Sequence, residues 1–437
     1  MIESVWKKEC SLPEFPKLYG EVKTDVLIVG GGLAGLLCAH RLARAGADHV
    51  LIEADRICGG VSGNTTAKIT SQHGLIYDKL IRKFDPETAR RYWMANEDGL
   101  RELRKLAREV DCDFQEKDNF IYSVDSPRKL EKELAALEQI GAPAELVQTL
   151  PLPFAVAGAI RFPNQAQFHP LKLAAGLEGE LNIYEHTPAL AFEGNTVVTD
   201  QGRITAEKII VATHFPILNK HGAYYLKMYQ ARSYVLALEG APELNGMYLD
   251  EAKGGLSFRN YADLLLLGGG GHRTGKRGGG WRALEAFARA NWPEVRERYR
   301  WAAQDCMTLD GIPYIGRYGG KTTDLYVATG FNKWGMTSAA VSAGILADLV
   351  MGKENPYADL FSPQRRILRP QLLCNGAEAV VNLLTPTVPR CPHMGCALKW
   401  NPQEHSWDCP CHGSRFDRDG KLLDDPATGE LKHKPKR

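Results

Sequence analysis

The amino-acid sequence predicts an α/β fold in which a parallel-sheet domain is interleaved with an antiparallel α+β domain and followed by a small all-β domain. Three observations lead to this fold class. A strand, a glycine-rich turn, a helix and a second strand follow one another over residues 25–53, which is how a parallel sheet opens. Short apolar strands recur as far as residue 330, and after residue 362 the composition changes to Cys, His and Pro.

The chain has 437 residues, enough for two or three domains. Its 54 Lys and Arg side chains balance 52 Asp and Glu side chains, for a net charge of +2, which excludes a strongly basic nucleic-acid binder. No uncharged stretch reaches the roughly 18 residues of a membrane span, and the start of the chain lacks the apolar core of a signal peptide. We therefore expect a cytoplasmic protein without a transmembrane segment or a nucleic-acid partner.

The first element is a buried strand at Asp25–Val29, where apolar residues follow one another without interruption. A helix is predicted for Leu33–Ala45 and a second strand for His49–Glu53. The turn between the first strand and the helix, Gly30-Gly31-Gly32-Leu33-Ala34-Gly35, fits the pattern G-x-G-x-x-G in the context that this pattern requires.

In such a turn the glycines have separate tasks. Gly30 permits the sharp bend, Gly32 lets the main chain approach a pyrophosphate, and Gly35 allows the helix to pack closely on the strand. Glu53 ends the second strand, where its carboxylate would bond ribose hydroxyls. The sequence therefore predicts a dinucleotide site, and a glycine-rich turn without a ligand is the alternative.

The later elements alternate between helical and extended segments. Charged helical segments cover residues 85–141, interrupted by an alternating strand at Phe114–Val124. Further elements are predicted as follows: a helix from His169, two strands within Gly202–Ala212, a strand at Leu264–Leu267 that runs into a turn at Gly268–Gly271, a pair of strands within Asp310–Gly330, and an apolar helix at Thr337–Gly352.

The end of the chain contains a pattern of metal ligands. Cys391-Pro-His393 and Cys409-Pro-Cys-His412 are separated by fifteen residues, 394–408. Two Cys–His pairs in this order suit a 2Fe–2S centre with two thiolates on one iron and two imidazoles on the other, the Rieske arrangement. A classical zinc finger would instead pair Cys with Cys and His with His. The sequence predicts that Cys391, His393, Cys409 and His412 hold a Rieske cluster, and a zinc site or an empty remnant is the alternative.

Over about residues 20–355 the chain resembles the superfamily of flavoproteins that contains D-amino-acid oxidase, glycine oxidase and sarcosine oxidase. Three stretches carry the resemblance: Gly59–Lys68, Asp310-Gly-Ile-Pro-Tyr-Ile-Gly316, and Leu325-Tyr-Val-Ala-Thr-Gly330 with Gly335-Met-Thr337. The resemblance implies that FAD is the cofactor. It also implies that further residues bind FAD, namely Ser62, Thr65, Thr66, Lys68, Gly330, Gly335, Met336 and Thr337.

On this basis residues 1–362 form an FAD-dependent oxidoreductase unit and residues 363–437 form a shortened Rieske-type domain. The FAD-binding, Rossmann-like part is expected at about residues 20–84, 165–218 and 303–355. The interleaved substrate part is expected at about residues 85–164 and 219–302.

The resemblance implies oxidation of a C–N bond, with FAD as the hydride acceptor. Glycine oxidase-like proteins have an arginine for the substrate carboxylate five residues before the Asp310 position, and this chain has Asp305 there. A carboxylate would attract an ammonium group, so an amine is favoured over an amino acid, and a structural role for Asp305 is the alternative. Lys333 and Arg259 are further candidates for the substrate pocket.

The two cysteine–histidine loops resemble those of Rieske proteins in cytochrome bc-type complexes, in which a disulfide ties the loops together. The resemblance implies that Cys396 and Cys411 form this disulfide, and that the Ser414 hydroxyl bonds a cluster sulfur. A tyrosine of the respiratory members is Phe416 here. Because phenylalanine cannot make the hydrogen bond of that tyrosine, we expect a reduction potential lower than that of the respiratory members.

Together these observations favour an enzyme that oxidises an amine or amino acid and passes electrons from FAD through the Rieske cluster to an external acceptor. A ferredoxin, a cytochrome or a quinone would serve as that acceptor. Two alternatives stay open: a flavin oxidase that uses O2 and carries a structural or sensory Rieske module, and a non-catalytic redox-sensing partner protein.

Overall fold

The computed structural model describes residues 2–177, 179, 181–218, 221–365, 370–386 and 389–432. Its helices are α1 Val5–Glu9, α2 Leu33–Arg44, α3 Tyr77–Lys83, α4 Pro86–Glu109, α5 Arg128–Ile140, α6 Pro170–Gly176, α7 Tyr224–Lys227, α8 Gly280–Asn291, α9 Gly335–Val350, α10 Ala358–Phe361 and α11 Pro370–Leu384. A short 3-10 helix covers Val61–Asn64.

The strands of the first half are β1 Gly20–Val29, β2 His49–Ile52, β3 Lys68–Ile69, β4 Gln115–Ser123, β5 Glu145–Val147, β6 Gly158–Gln167, β7 Ile183–Tyr184, β8 Ala191–Glu193, β9 Thr196–Val198 and β10 Gly202–Val211. Those of the second half are β11 Met228–Glu239, β12 Met247–Asp250, β13 Ser257–Tyr261, β14 Leu264–Arg273, β15 Arg296–Thr308, β16 Tyr314–Arg317, β17 Leu325–Thr329, β18 Lys399–Asn401, β19 Ser406–Asp408, β20 Arg415–Phe416 and β21 Leu422–Asp424.

A largely parallel sheet has the order β16-β17-β10-β1-β2-β7 in the described part of the chain, and β9 and β8 extend from β10. The pairs β1–β10, β1–β2, β10–β17 and β2–β7 are parallel. Strand β1 is buried over its last four residues, which form an uninterrupted apolar run because a central parallel strand is covered on both faces. The helices α2 and α9 pack together in the core beside this sheet.

The second sheet has the order β15-β11-β14-β13-β12-β4-β6-β3, with β5 beside β6. Apart from the parallel pair β4–β12, its strands are antiparallel. The sheet draws its strands from segments on both sides of β10 in sequence, so the two sheets are interleaved along the chain. The predicted α/β fold with an interleaved antiparallel part is confirmed, while the residue boundaries of the parts stay predictions.

Two predictions about strands were wrong. Within Gly202–Ala212 there is one strand, β10, rather than two, because residues Gly202–Val211 pair in one register with β1. Gly268–Gly271 forms no turn, since β14 continues through these glycines to Arg273. The glycines are needed inside the strand because neighbouring atoms approach closely: a Cβ on Gly270 would lie 2.5 Å from the main-chain oxygen of Gly280.

A third, antiparallel sheet, β18-β19-β20-β21, forms the predicted all-β unit near the end of the chain. Its small core contains Cys391, Cys396, Leu398, Cys409, Cys411, Phe416 and Ala427. Helix α11 precedes it, in a region where the sequence analysis predicted no element. None of the helices within the described ranges is both long enough and apolar enough to span a membrane.

Candidate active site and metal centre

The turn between β1 and α2 closes tightly on the end of β10. Gly30 has a φ of 113°, and a Cβ on it would lie 2.7 Å from the main-chain oxygen of Ala212. A Cβ on Gly35 would lie 2.0 Å from the main-chain oxygen of Gly30. Both positions therefore require glycine, and the close packing leaves the first main-chain N–H groups of α2 next to the turn, an arrangement that suits a pyrophosphate.

Two predicted cofactor-binding side chains lie at this turn. One oxygen of the Glu53 carboxylate accepts a hydrogen bond of 2.7 Å from the main-chain N–H of Gly31, and burial raises the pKa of Glu53. The Ser62 hydroxyl accepts a bond of 2.9 Å from the N–H of Leu33, the first residue of α2. A cradle of glycines, helix N-terminus and acidic side chain fits FAD, and the roles of the individual residues stay predictions.

The main chain of residues 59–68 accepts hydrogen bonds from side chains elsewhere in the protein. The side chains of Trp6, Lys7 and Trp301 each donate a hydrogen bond to a main-chain oxygen of this segment. Trp6 is fully buried, so the N-terminal helix α1 forms part of the support. These three hydrogen bonds fix the segment against the rest of the protein.

Arg259 supports the same segment from the antiparallel sheet. Its Nη1 donates two hydrogen bonds of 2.8 Å, to the main-chain oxygens of Thr66 and Ala67, and burial lowers its pKa to about 9. Lys68 follows directly, and its pKa is well below the usual value because of burial first and of Arg259 second. Arg259 thus contacts the predicted cofactor segment, and its role toward a substrate stays a prediction.

The third predicted cofactor stretch begins α9. Gly330 has a φ of 71°, and a Cβ on it would lie 2.3 Å from Cγ2 of Thr308. Lys333 reaches across to the antiparallel sheet, where its Nζ donates a hydrogen bond of 3.0 Å to the Ser233 hydroxyl. The stretch therefore joins the two sheets. The first turn of α9 contains Gly335, Met336 and Thr337.

The side chains of Asp305 of β15, His214 after β10 and Asp425 after β21 are half-buried, and those of Asp305 and His214 are close enough to influence each other's pKa. We define the candidate cleft by these three side chains. Burial raises the pKa of Asp305, against the opposing effects of Lys333 and His214. Burial and then Asp424 raise the pKa of Asp425 well above its usual range. Burial therefore favours the neutral forms of both carboxyl groups.

Sequence reasoning identified Asp305 but missed His214 and Asp425. His214 follows the carboxyl end of a parallel strand, which is where ligands bind in sheets of this kind, so its position was a usable signal. Asp425 belongs to the C-terminal unit, and no spacing in the sequence relates it to β10 or β15.

The two predicted cluster loops share one main-chain conformation. Gly395 donates its N–H to the oxygen of Cys391 at 2.9 Å, and Gly413 donates to the oxygen of Cys409 at 3.0 Å. In both loops the N–H of the first cysteine donates to the main-chain oxygen five residues on, at 2.9 Å. Gly395 and Gly413 have φ values of 77° and 93°, which only glycine adopts readily. The two loops therefore present their ligands in the same way.

The structure brings the four predicted ligands together. The thiols of Cys391 and Cys409 are hydrogen-bonded to each other, and the rings of His393 and His412 are 4.9 Å apart at an interplanar angle of 88°. Nδ1 of His412 is buried without a hydrogen-bond partner among the described residues, as expected of a nitrogen that binds metal. Two thiols and two imidazoles in this arrangement fit a Rieske-type cluster, and the assignment of the four ligands stays a prediction.

The remaining cysteines of the loops lie beside these ligands. The sulfur atoms of Cys396, Cys409 and Cys411 lie within 4.8 Å of one another. Cys396 and Cys411 are free thiols in this structure, and the disulfide between them stays a prediction. The Ser414 hydroxyl hydrogen-bonds with the Cys391 thiol and accepts a bond of 3.0 Å from the N–H of Ala427.

Side chains of the antiparallel sheet form hydrogen bonds with the second cluster loop. Two side-chain amides and one guanidinium donate hydrogen bonds to main-chain oxygens of this loop, before, at and after the predicted ligand His412. These bonds fix the loop relative to the sheet. These bonds run from Arg273 to Pro410 (3.0 Å) and Cys411 (3.1 Å), from Gln230 to His412 (2.9 Å) and from Gln304 to Gly413 (2.9 Å).

An ion pair adds to this interface. Arg232 donates from Nε to Oε1 of Glu404 at 2.9 Å and makes a second contact to the other carboxylate oxygen. Arg415 also contacts this carboxylate. Burial alone would raise the pKa of Glu404, but Arg232 and Arg415 outweigh burial and lower it to about 2. The pair therefore holds an ionised carboxylate between the sheet and the C-terminal unit.

The histidine side of the predicted cluster faces the oxidoreductase part. The ring of Phe215 lies 6.4 Å from the rings of both His393 and His412, and the main chain of Tyr225 hydrogen-bonds with His412. His214, which lines the cleft, precedes Phe215 directly. The residue that defines the cleft and the ring that contacts both histidines are therefore adjacent in the chain.

Taken together, the fold and the site define an FAD-dependent oxidoreductase that carries a Rieske-type metal centre. Residues 25–349 match the family of FAD dependent oxidoreductases that includes D-amino-acid oxidase, and residues 383–435 match the Rieske [2Fe-2S] domain. The chain belongs to the FAD-dependent oxidoreductase family. The predictions of FAD and a 2Fe–2S cluster as cofactors are confirmed.

A relative with the same two parts is the "Putative Rieske 2Fe-2S iron-sulfur protein YhfW" of Bacillus subtilis, 35% identical over 98% of this chain and 97% of the relative. Gamma-glutamylputrescine oxidoreductase of Escherichia coli is 26% identical over 83% of this chain and 93% of its own. The structure of glycine oxidase from Geobacillus kaustophilus has a TM-score of 0.67 at 20% identity and covers 79% of this chain and all of the other, a likeness in fold.

Proposed function

We propose that the protein oxidises a C–N bond of an amine and passes the electrons through its Rieske centre to an external one-electron acceptor. Bound FAD supplies a hydride acceptor, and the cluster supplies a one-electron carrier. The chain provides the substrate cleft, the support of both cofactors and the wall between them. A similarity to gamma-glutamylputrescine oxidoreductase supports an amine substrate.

Asp305 is the residue that favours an amine over an amino acid. A carboxylate in an enclosed cleft of low dielectric constant interacts strongly with a cation and is costly to leave uncompensated. A substrate ammonium would compensate the charge of Asp305, and it would lower the raised pKa of this carboxyl. Of the surrounding cationic groups, Lys333 opposes the rise in the pKa of Asp305 most strongly, and we infer that it limits the cleft to one cationic group at this position.

The observation that carries the electron route is the contact between the cleft wall and a cluster loop. Asp305 lines the cleft, and its neighbour Gln304 donates a hydrogen bond of 2.9 Å to the main-chain oxygen of Gly413, which follows the ligand His412. The loop is therefore held at the wall of the substrate cleft by direct contact. This fixed arrangement favours electron transfer within one chain over a purely structural Rieske module.

The acceptor outside the chain belongs to the same proposal. A one-electron centre beside the cleft favours dehydrogenase behaviour, in which a ferredoxin, a cytochrome or a quinone receives the electrons, over direct use of O2. A reducing, cytoplasmic location is part of the proposal.

Anaerobic addition of amines to the purified holoprotein tests this function. We expect diamines and N-substituted diamines to bleach the flavin absorbance and to produce the EPR signal of a reduced Rieske cluster. The Cys409→Ser variant should keep the flavin bleaching and lose the EPR signal. Flavin bleaching by amino acids alone would contradict the amine assignment, and fast turnover with O2 that is unchanged in Cys409→Ser would contradict the electron route.

A further inference from the structure

Helix α11 has its apolar side chains on the outside. The side chains of Asn375 and Asn382 are buried against the protein, where Asn375 accepts a hydrogen bond from Arg273 and donates one to the main-chain oxygen of Leu226. The exposed face carries apolar side chains at helical spacing, the reverse of the usual pattern of a surface helix. We call these the α11 patch: Leu373, Val380, Val381 and Leu384, with exposed fractions of 77%, 56%, 62% and 76%.

The α11 patch is continuous with the first cluster loop. A Cβ on Gly395 would lie 3.9 Å from Cδ2 of Leu383, and Arg390 donates hydrogen bonds to the main-chain oxygens of both residues. Met394, which follows the ligand His393, is 40% exposed beside them. The apolar surface therefore reaches the loop that holds half of the cluster ligands.

This surface lies on the side of the cluster loops that the oxidoreductase part leaves open. Phe215 and Tyr225 cover the histidine side, as described above, so that side is available for electrons that come from the cleft. Met394 and the α11 patch lie at the exposed end of the first loop. The first cluster loop is therefore exposed to solvent at Met394, next to the α11 patch.

Two cations, Arg390 and Lys399, flank the first cluster loop, which forms the rim of the patch. Arg390 and Lys399 are both exposed, and neither forms an ion pair with a carboxylate of the described residues. A partner with acidic residues around an apolar centre would be complementary to this rim.

We propose that the α11 patch and Met394 form the docking surface for a small acidic electron-carrier protein that takes one electron at a time from the Rieske centre. The inference rests on the proposed function and adds the place and the chemical class of the acceptor. In each encounter the reduced cluster is oxidised by one electron and the carrier is reduced by one, with no transfer of a proton or a group. Two carriers are consumed for each amine that is oxidised.

The size and charge of the patch favour an electron-carrier protein over a second copy of the chain and over a lipid bilayer. Weak electron-transfer encounters bury less than about 1,200 Å² in total, whereas a stable dimer buries more, and the α11 patch with Met394 consists of only five side chains. A bilayer would require a cluster of cations, since each contributes only about 1 kcal/mol near an anionic surface. The rim is flanked by only two such cations, Arg390 and Lys399.

The test uses the holoprotein, reduced chemically with dithionite and mixed rapidly with oxidised plastocyanin, an acidic blue-copper protein. A copper acceptor is chosen because Rieske centres have potentials of about −150 to +300 mV, too high to reduce a plant-type ferredoxin. We expect Val381→Glu to lower the second-order rate constant at least tenfold, which corresponds to a change of about 1.4 kcal/mol in activation free energy. The variant removes an apolar contact and introduces a negative charge that repels the acidic carrier. Leu190→Glu, an equally exposed apolar residue away from the patch, is the matched control and should leave the rate unchanged.

A second readout is the binding of the two oxidised proteins by calorimetry. Affinity should fall in Val381→Glu and in Lys399→Gln, and the dependence on ionic strength should weaken in Lys399→Gln. If the Val381→Glu variant does not retain its cluster, Leu373→Glu is measured instead, because Leu373 lies at the other end of α11 from the cluster loop. Equal rates in patch variants and in Leu190→Glu would overturn the proposal, as would a dimer that dissociates in Val381→Glu or patch-dependent binding to anionic vesicles. Since dithionite bypasses the substrate, failure of the amine reaction leaves this test intact.

Discussion

The side-chain amide of Gln304 donates a hydrogen bond of 2.9 Å to the main-chain oxygen of Gly413. Gln304 adjoins Asp305, which we propose lines the substrate cleft, and Gly413 closes the loop that carries Cys409 and His412. One bond thus joins the wall of the cleft to the metal centre. The C-terminal unit is therefore docked on the oxidoreductase part rather than tethered to it.

Replacing Gln304 tests the importance of this contact. In Gln304→Leu the oxygen of Gly413 loses its donor inside the interface, which should cost about 1 to 3 kcal/mol. We expect flavin reduction by amine to stay near the wild-type rate and cluster reduction to become slower, as measured by rapid-freeze EPR. Gln403→Leu, at the exposed edge of the same interface, is the control and should leave both rates unchanged.

Asp305 is expected to bind the cationic group of the substrate. Asp305→Asn removes the charge and keeps the shape, and because a hydrogen bond to a charged group contributes about 1.5 to 3 kcal/mol, KM for an amine should rise roughly 10- to 100-fold. Lys333→Met removes the opposing cation and should lower KM for the same amine. Steady-state kinetics with an artificial electron acceptor measure both. A KM for amines that is unchanged in Asp305→Asn would assign Asp305 to a structural role.

Docking of the C-terminal unit should weaken in acid. The pKa of Glu404 is about 2 in the folded protein, against an ordinary value of 4.5. A carboxyl with a lowered pKa stabilises the folded state above its ordinary pKa and loses this contribution as the pH falls toward the folded value. The free energy of unfolding should therefore fall by about 3 kcal/mol between pH 4.5 and pH 2 because of this group.

Denaturant unfolding at a series of pH values, compared between wild type and Glu404→Gln, measures that contribution. The variant should be less stable at neutral pH and less sensitive to acid over the window from pH 4.5 to pH 2. An identical pH dependence in both proteins would show that the carboxylate is not ionised between Arg232 and Arg415.

Arg365 fixes the turn that begins with Asp310. It donates hydrogen bonds of 2.8 and 2.9 Å to the two carboxylate oxygens of Asp310, and its guanidinium lies 4.1 Å from the ring centroid of Tyr314. Arg365→Met leaves this buried carboxylate without its bidentate partner, which should cost about 3 to 5 kcal/mol and weaken retention of FAD. Thermal unfolding and the bound-flavin absorbance measure both effects, and the exposed Arg317→Met is the control.

The sequence was sufficient for the features that short segments encode. The turn from Gly30 to Gly35 and the loops from Cys391 and Cys409 each combine their signals within a few residues. In these segments a required glycine or ligand is identified by its neighbours in the chain, so the nucleotide cradle and the metal centre were predictable.

Features that depend on packing between distant segments were not predictable. Gln230, Gln304 and Arg273 belong to ordinary strands, and nothing near them in sequence indicates that they hold a cluster loop. The glycines after Leu267 indicated a turn, but close approach of neighbouring main chain keeps them in a strand. Helix α11 has its apolar side chains outward, contrary to the pattern by which surface helices are recognised.

The central claim is that electrons pass from the cleft to the cluster within one chain. Rapid-freeze EPR after anaerobic mixing with an amine, repeated over a range of protein concentrations, tests it most directly. We predict that the reduced Rieske signal follows flavin bleaching with a first-order rate constant that does not depend on protein concentration. A cluster that stays oxidised beside a fully bleached flavin, or a rate proportional to protein concentration, would contradict the account.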